Sequence, residues 1–345
     1  MLRQLYQYDP VIGFRFVPNL KARVPHEGGG YLVRTNAQGF RADAAFKRER
    51  TPGKRRVLLF GDSFTAGEGV SNGQRTSDWL ERLVPDLEVY NFGLPATGTD
   101  QHWLIARELA AGIEHDFVMI GVFVENIRRV ASRYRWFQDD AGRRVLYAKP
   151  WFELDANGQP ALHGVPVPKR PLSEAQLAPG ERAQIAAVAR FPKLKRAFSA
   201  ARAHPLFERV VVESGLKESL QRVTRYQPLA EYDDANGAAW RTMRAVLVAW
   251  AKQCASRAAI VPIPLHQYAY GISSASAVSA RLSEAAAAGG ADYWDPLPQL
   301  SERCRGDRSL YFPNDGHLTN AGHRALAEIL APLVEKRLTE PGARR

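Results

Sequence analysis

Cysteines and long apolar runs are scarce in this sequence. Only Cys254 and Cys304 occur among 345 residues, and with no Cys-x-x-Cys pair the usual zinc-finger spacing is excluded. Cys254 falls on the apolar face of a predicted helix, so we expect a free core thiol rather than a disulfide. The longest apolar stretch, residues 117–124, is far shorter than the roughly 20 residues that span a bilayer. With no signal-peptide pattern at the N-terminus, we expect a cytoplasmic protein without an integral membrane segment.

Acidic residues are outnumbered by basic ones. The chain has 47 Lys and Arg against 36 Asp and Glu, a formal net charge of +11. The excess is scattered in small clusters, and none is interleaved with aromatic residues as in known nucleic-acid-binding modules. We interpret the surplus as a solubilising surface and expect no nucleic-acid partner. A content of 45% hydrophobic and 24% charged residues is typical of a soluble globular protein.

Apolar strand-like runs alternate with helical patterns in two parts of the chain. Residues 57–60 form a continuous apolar run that ends at Gly61, which is typical of a buried parallel strand. Further strands are predicted at 87–90, 117–123, 259–263 and 291–294, and helices at 74–83, 100–111, 235–257, 277–287 and 320–337. This alternation predicts a parallel sheet in an α/β protein.

Two other segments do not follow the alternation. Residues 1–54 are rich in glycine, proline and charge, and we predict an extension packed on the core, with a hairpin near residues 31–33. Residues 133–226 carry a cluster of prolines and two helical patterns, at 181–189 and 207–223. We interpret them as a large insertion that forms a lid or a partner surface. The main domain would then comprise residues 55–132 and 227–338.

A serine directly follows the first predicted strand. The sequence Gly61-Asp62-Ser63 stands where ligands bind in open α/β sheets, at the carboxyl end of a strand. The later glycines come too far along for a dinucleotide-binding turn, and no Lys-Ser/Thr pair completes a phosphate-binding loop. Thr65 replaces the second glycine of a Gly-x-Ser-x-Gly elbow. For a bare Gly-Asp-Ser, a helix N-cap remains an alternative.

A histidine with a nearby carboxylate precedes the last predicted helix. Asp315 and His317 lie two positions apart, and alternate residues of an extended chain point to the same side. The carboxylate would orient the ring, whose other nitrogen could then take a proton from a serine. Asn314 is an alternative partner if the loop is a tight turn. We interpret His323 as a first-turn helix residue, and His266 as at most a pocket-lining one.

Polar, glycine-rich breaks follow the second and third predicted strands. The first break covers residues 91–100, and the second contains Asn126. Acyl transfer builds negative charge on a carbonyl oxygen, and loss of one N–H donor to that oxygen typically costs about 10²–10³ in rate. Each break alone is typical of an ordinary loop between secondary-structure elements. Together with Ser63 and His317, they predict a site for acyl transfer.

These motifs resemble the blocks of the SGNH/GDSL hydrolase family. The Gly-Asp-Ser that ends at Ser63 matches the first block, Asn126 the third, and Asp315 and His317 the last. The resemblance covers about residues 55–130 and 235–335, and residues 35–41 and 149–152 are similar to bacterial members with an N-terminal extension. It implies a three-layer α/β/α sandwich with a flavodoxin-like parallel sheet.

The resemblance also implies roles for individual residues. Ser63 would be the nucleophile, His317 its base and Asp315 the acid that orients the base. The implied oxyanion donors are the N–H of Ser63, the N–H of Ala96 or Gly98, and the side-chain amide of Asn126. The substrate pocket would include Asp62, Gly93 and His266. No metal or organic cofactor is implied.

Three positions depart from the family pattern. Ala96 stands where the second block usually has glycine, five residues after Asn91. Ile127 follows Asn126, where aspartate is more usual, and Asp315 lies two rather than three residues before the histidine. None of these changes removes the nucleophile or the base.

The expected activity is hydrolysis of a short-chain O-acyl ester of a carbohydrate, lipid or natural product. The family acts on O-acetylated sugars, lipids and acylated small molecules, so the resemblance implies a small-molecule ester substrate. An acyltransferase with the same serine is an alternative, because only the final acceptor differs. A catalytically silent binding protein is another, on account of Ala96 and Ile127.

Overall fold

The computed structural model describes residues 5–138, 143–173 and 226–340, together with positions 141, 177, 221 and 223. The predicted helix at 181–189 lies outside these residues, as does the one at 207–223 apart from its last positions. The strands are β1 (Tyr6–Asp9), β2 (Gly13–Phe16), β3 (Lys21–Val24), β4 (Tyr31–Arg34), β5 (Arg55–Gly61), β6 (Leu87–Gly93), β7 (Phe117–Phe123), β8 (Tyr134–Gln138), β9 (Arg144–Ala148), β10 (Trp151–Leu154), β11 (Pro160–His163), β12 (Ala258–Ile263) and β13 (Asp292–Tyr293).

Along the chain, most helices come between successive strands of the main sheet. They are α1 (Ser63–Ala66), α2 (Thr76–Leu83), α3 (Thr99–Leu104), α4 (Asn126–Val130), α5 (Ala238–Gln253), α6 (His266–Ala269), α7 (Ser276–Gly289), α8 (Leu297–Arg303) and α9 (Asn320–Thr339). A π-helical turn, Ile105–Leu109, continues α3, and a 3₁₀ turn covers Ala230–Tyr232. Among the described residues, no helix combines the length and apolar character that a membrane span requires.

The main sheet has five parallel strands in the order β13-β12-β7-β5-β6. In chain order this is 2-1-3-4-5 reversed, the flavodoxin-like arrangement. Successive side chains of a strand point to opposite faces: Leu58 and Phe60 pack in one apolar core with α3, α4, α5 and α7, and Val57 and Leu59 in another with α2, α8 and α9. The predicted three-layer α/β/α fold is therefore confirmed.

Helix α5 confirms the predicted amphipathic stripe. Its buried positions include Trp240, Met243, Leu247 and Trp250. Cys254 caps its C-terminal end, half-buried and unbridged, and burial raises the pKa of its thiol to about 11. The prediction of a free, unreactive thiol agrees with this environment.

Strand β6, the second strand predicted from the sequence, is longer than its sequence pattern predicts. β6 continues through Asn91 to Gly93, although the polar Asn91 was expected to begin a loop. The Asn91 amide donates to Thr65 O and to Ser77 Oγ, at 2.8 Å in both cases, and its Oδ1 accepts from Gly93 N at 2.8 Å. Because all these groups are satisfied inside the protein, the strand can continue into the core.

In the structure, the N-terminal hairpins contact the core of the main domain. Hairpins β1–β2 and β3–β4 place Phe14, Phe16 and Val33 in the first apolar core. Arg41 is 2% exposed and donates to Ala66 O at 2.8 Å and to Val70 O at 2.8 Å. The extension therefore supports the turn that follows Ser63.

Residues 133–173 form strands that the sequence analysis did not predict. They build hairpins β8–β9 and β10–β11. Phe152 of β10 is buried and stacks on Trp103 of α3, with ring centroids 5.0 Å apart. The pattern was missed because these strands have few buried positions and so show little alternation of apolar and polar residues.

Candidate active site

Ser63 lies at the carboxyl end of β5, at the first position of α1. Asp62 caps this short helix, and its Oδ1 accepts a hydrogen bond from Phe64 N at 3.1 Å. The N-cap expected as an alternative is therefore present, but on the residue before the serine. Ser63 itself is 4% exposed.

His317 bridges Ser63 and Asp315. Its Nε2 lies 2.8 Å from Ser63 Oγ, and its Nδ1 lies 2.5 Å from Asp315 Oδ2. The loop that carries both residues is held by hydrogen bonds from Phe312 N to His317 O and from Gly316 N to Phe312 O. A base positioned between a serine and an orienting carboxylate is the arrangement that activates a hydroxyl for nucleophilic attack.

Of the two predicted partners for the His317 ring, Asp315 is the one in contact. The Asn314 amide points elsewhere and donates to Glu27 Oε2 at 3.0 Å. Because Asp315 is a carboxylate, it can stabilise the imidazolium that forms when His317 takes a proton.

The charges around His317 favour its protonated form. Burial would lower the pKa of His317, but the hydrogen bond that its ring donates to Asp315 and the charge of Glu68, whose Oε2 lies 3.8 Å from Nε2, raise this pKa above its ordinary value. Burial would raise the pKa of Asp315, yet hydrogen bonding and charge from His317 and His26 lower it to about 2. Asp315 is therefore ionised wherever His317 can act as a base.

A second histidine contacts the same carboxylate. His26, in the turn between β3 and β4, has Nε2 at 3.1 Å from Asp315 Oδ2. Its Nδ1 accepts from Gly28 N at 3.3 Å, so the ring proton of the neutral form is on Nε2 and is directed at Asp315. Glu27 in the same turn accepts from Asp315 N at 2.7 Å. No local motif marked His26 or Glu27, because their partners lie almost 290 residues away.

The same three side chains offer a set of possible metal ligands. Ligand atoms of His26, Glu27 and Asp315 lie within 4.8 Å of one another. The Asp315 atom already accepts hydrogen bonds from two histidines, and both Glu27 oxygens accept bonds from the 314–315 backbone and the Asn314 amide. These bonds explain the cluster without an ion.

Asn126 begins α4, just beyond β7, and its side chain is fully buried. Neither its Nδ2 nor its Oδ1 has a hydrogen-bond partner among the described residues. A buried polar group left unsatisfied costs about 1–3 kcal/mol, so its retention calls for an explanation. Strands β7 and β5 are neighbours in the parallel sheet, so Asn126 lies at the same sheet edge as Ser63.

The turn after β6 offers one of the two predicted backbone donors. Gly98 N donates to Gln101 Oε1 at 3.2 Å, so this amide is already engaged. Ala96 N donates to no atom in the described parts of the chain. Ala96 has φ +64°, a left-handed conformation that favours glycine. This backbone geometry agrees with the glycine that the family pattern has at this position.

Asp62 is engaged in a buried ion pair. Its Oδ2 accepts from Arg129 at 2.6 Å, and the same guanidinium nitrogen donates to Thr97 O at 3.0 Å. Asp62 is 1% exposed. The pair links the serine turn to the turn that carries Ala96, so the structure gives Asp62 a positioning contact rather than an open, substrate-facing surface.

The remaining sequence-predicted residues lie around the site. Gly93 packs directly against α1, where a Cβ would overlap Ala66 N. His266 starts α6 and lies against Gly316. His323 is in the first turn of α9, as predicted; it is buried beside Thr76 Oγ1 at 2.9 Å, and burial lowers its pKa to about 3. His323 is therefore neutral and is not a second base.

Comparisons with known proteins identify similar solved structures. No family model and no curated protein matches the sequence. A lipase/acylhydrolase from Enterococcus faecalis is 12% identical, with 82% of this chain and 96% of that chain covered and a TM-score of 0.41. A carbohydrate acetylesterase family member from Sinorhizobium meliloti is 13% identical, with 83% and 100% covered and a TM-score of 0.35. With 10% identity, 81% and 97% coverage and a TM-score of 0.41, the chain is also similar to a member of the lipolytic protein G-D-S-L family from Veillonella parvula.

Proposed function

We propose that this chain is a serine esterase of the SGNH/GDSL type, which cleaves an O-acyl ester through an acyl-enzyme. The observation that carries the proposal is the continuous contact from Ser63 Oγ to His317 Nε2 at 2.8 Å and from His317 Nδ1 to Asp315 Oδ2 at 2.5 Å. These contacts join two motifs 254 residues apart in a geometry that a structural histidine does not require.

The first step forms the acyl-enzyme. His317 Nε2 takes the Ser63 hydroxyl proton while Oγ attacks the ester carbonyl carbon, and Asp315 stabilises the resulting imidazolium. The tetrahedral intermediate then collapses. The alcohol leaves with the proton from His317, and the acyl group stays on Ser63.

The carbonyl oxygen carries negative charge in the intermediate and needs preorganised donors. We assign this role to the N–H groups of Ser63 and Ala96 and to the Asn126 amide. The unpaired state of the Asn126 amide and the free Ala96 N–H support the assignment. The Gly98 N–H is the less suitable candidate, since it is bonded to Gln101.

Water completes the cycle. His317 takes a proton from water, the hydroxide attacks the acyl carbonyl, and Ser63 leaves with the proton from His317. Side chains and backbone amides carry each step. From the family resemblance, we propose a short acyl group, such as acetyl, on a carbohydrate, lipid or natural product.

The test is hydrolysis of p-nitrophenyl esters from acetate to octanoate by the wild type, Ser63→Ala and the control Ser274→Ala. Ser274 lies on an exposed loop between α6 and α7. We expect activity in the wild type and the control, a preference for short chains, and loss of activity by at least about 10³-fold in Ser63→Ala.

A fluorophosphonate probe tests the nucleophile independently of the substrate. We expect a mass increase on the peptide that contains Ser63, and none in Ser63→Ala. Labelling without ester hydrolysis would favour an acyltransferase, and acyl transfer to added alcohols would then be measured. A wild type that is neither active nor labelled would refute the enzyme proposal and favour a silent binding protein.

A further inference from the structure

A cavity of about 470 Å³ opens beside the turn that carries Ala96. Ala96 and Gln101 contribute to it from the core, and the rest comes from the N-terminal hairpin, from the β8–β9 hairpin and from residues 167–169. Ser63 and His317 are not among its lining residues. Ala96, which we propose as an oxyanion donor, also lines the cavity, so a substrate held at the ester site would reach the cavity with a part beyond the ester group.

The described lining of this cavity contains cations and no carboxylate. The cationic lining residues are Arg135, Arg143, Lys149 and Lys169. Lys149 is neutralised within the protein, because its Nζ donates to Asp100 Oδ2 at 2.5 Å and to two backbone carbonyls. Arg135 and Lys169 add positive charge to the cavity wall, and a positive potential attracts anions.

Arg135 differs in its contacts from Arg41 and Arg56, two buried arginines of the described residues. Arg41 and Arg56 are buried, and their guanidinium groups are bonded to carbonyl or carboxylate oxygens. The Arg135 guanidinium has no such bond to any residue that the structure describes, although burial and the charge of Arg129 lower its pKa to about 10. It remains charged at neutral pH and presents a planar set of donors suited to two oxygens of one anion.

The other walls suit a ring-shaped group. Tyr8 and Tyr147 line the cavity with Phe137. Lys169 Nζ lies 5.7 Å from the centroid of the Tyr8 ring, so this cation is held over the wall. Aromatic rings present an apolar face and, in tyrosine, a polar edge, which allows them to contact a polar ring without a matching charge.

We propose that this cavity binds an anionic group of the ester substrate, a carboxylate or a phosphate monoester, with Arg135 as its main contact and Lys169 as a second cation. The inference rests on the proposed esterase function and specifies its substrate class: an acylated compound, such as an acidic sugar, that carries its negative charge beside the ester.

The first experiment compares esters that differ only in charge. Mono-O-acetyl glucose is neutral, mono-O-acetyl glucuronate carries a carboxylate, and mono-O-acetyl glucose 6-phosphate carries a phosphate; acetate release gives kcat/KM for each. We expect at least one anionic ester to exceed the neutral ester by about tenfold or more, the factor for one charge-assisted hydrogen bond. The ratio of the two anionic esters shows which anion the cavity prefers. Equal values for all three would overturn the inference.

Two variants test whether the cavity causes the preference for anionic over neutral esters. In Arg135→Gln, the anionic-to-neutral ratio of kcat/KM should fall about tenfold, chiefly through KM. The control Arg244→Gln removes the same charge from α5, where Arg244 pairs with Glu284 at 2.9 Å, and should keep the wild-type ratio. If both variants lower the ratio equally, the net charge of the protein and not the cavity causes it, and the inference fails.

Binding separates this inference from the proposed function. Isothermal titration calorimetry measures the binding of glucuronate, glucose 6-phosphate and glucose to Ser63→Ala, and this measurement needs no turnover. We expect one of the anions to bind and glucose to bind at least about tenfold more weakly, with the difference lost when Arg135→Gln is added. If an anion binds and no ester is cleaved, the esterase proposal fails alone; if esters are cleaved and no anion is preferred in either assay, the cavity inference fails alone.

Discussion

Asp315 Oδ2 accepts a hydrogen bond from His26 Nε2 at 3.1 Å, in addition to the one from His317. His26 belongs to the N-terminal extension, and its side chain is 11% exposed. The extension therefore supplies a side chain to the same carboxylate that orients the proposed base. This contact gives the extension a positioning role in the site.

Replacing His26 should change the pH dependence of the reaction. His26 donates to Asp315 and so reduces the pull of this carboxylate on the His317 proton. In His26→Leu we expect the pKa of His317 to rise, the acidic limb of kcat/KM to move to higher pH, and activity at neutral pH to fall severalfold. His26→Gln, which keeps a donor, should restore part of the loss. The control His163→Leu, on β11, should match the wild type; an unshifted limb in His26→Leu would contradict the role.

Replacing Glu68 should shift the acidic limb of kcat/KM in the opposite direction, to lower pH. Its carboxylate lies 3.8 Å from His317 Nε2 and raises the pKa of His317. Since the base must be neutral to act, wild-type kcat/KM should fall as the pH drops through a pKa above the ordinary value for histidine. In Glu68→Gln the pKa of His317 falls, so more enzyme is active at mildly acidic pH. Glu335→Gln, an exposed change on α9, is the control, and equal profiles for both variants would disprove the effect.

Asn126 should affect catalysis without affecting stability. In Asn126→Ala we expect kcat to fall about 10²–10³-fold with little change in KM, because the donor acts mainly in the transition state. The free energy of unfolding should stay within about 1 kcal/mol of the wild type. Removal of the unsatisfied buried amide stabilises the fold, and loss of its packing contacts offsets this gain. Steady-state kinetics and urea unfolding measure the two quantities. Loss of stability at full activity would identify Asn126 as a structural residue instead.

Ala96 should tolerate the glycine that the family pattern has at its position. A left-handed conformation costs alanine about 1–2 kcal/mol, and glycine avoids this cost. Glycine also gives the unfolded chain more conformational entropy, which lowers the free energy of unfolding by about 0.5–1 kcal/mol. Ala96→Gly should therefore be up to about 1.5 kcal/mol more stable and keep its activity, because the N–H is unchanged. Ala255→Gly, at φ +48°, is a matched change away from the site. Urea unfolding of both variants tests the backbone argument, and a less stable Ala96→Gly would refute it.

Much of the fold and site could be predicted because the relevant signals are local. The strand at residues 117–123 is predicted over its whole length, since a strand buried on both faces needs an uninterrupted apolar run. Ser63 and His317 were identified because they stand at the end of a strand and before a helix, beside residues that support their chemistry. In the structure the two are in contact.

Other features depend on packing between distant segments. Asn91 was predicted to end its strand, but partners on α1 and α2 satisfy its amide and let β6 continue. From the sequence, Ala96 was the first candidate for the second oxyanion donor and Gly98 the fallback; in the structure the Gln101 side chain accepts from the Gly98 amide. The sequence did not indicate the β8–β9 hairpin or a role for Arg135. The cavity that Arg135 lines is formed between separate segments, so no single segment records it.

The sequence by itself determined the α/β alternation, the parallel sheet and the identities of the candidate nucleophile, base and acid, since burial and acid–base chemistry restrict residue types at each position. Only the tertiary structure decided which side chains support them. His26 meets Asp315 across 289 residues, and the cationic cavity is assembled from the N-terminal extension, the core and the β8–β9 hairpin. Such contacts depend on how elements pack in space, and no periodicity or spacing along one segment records that packing.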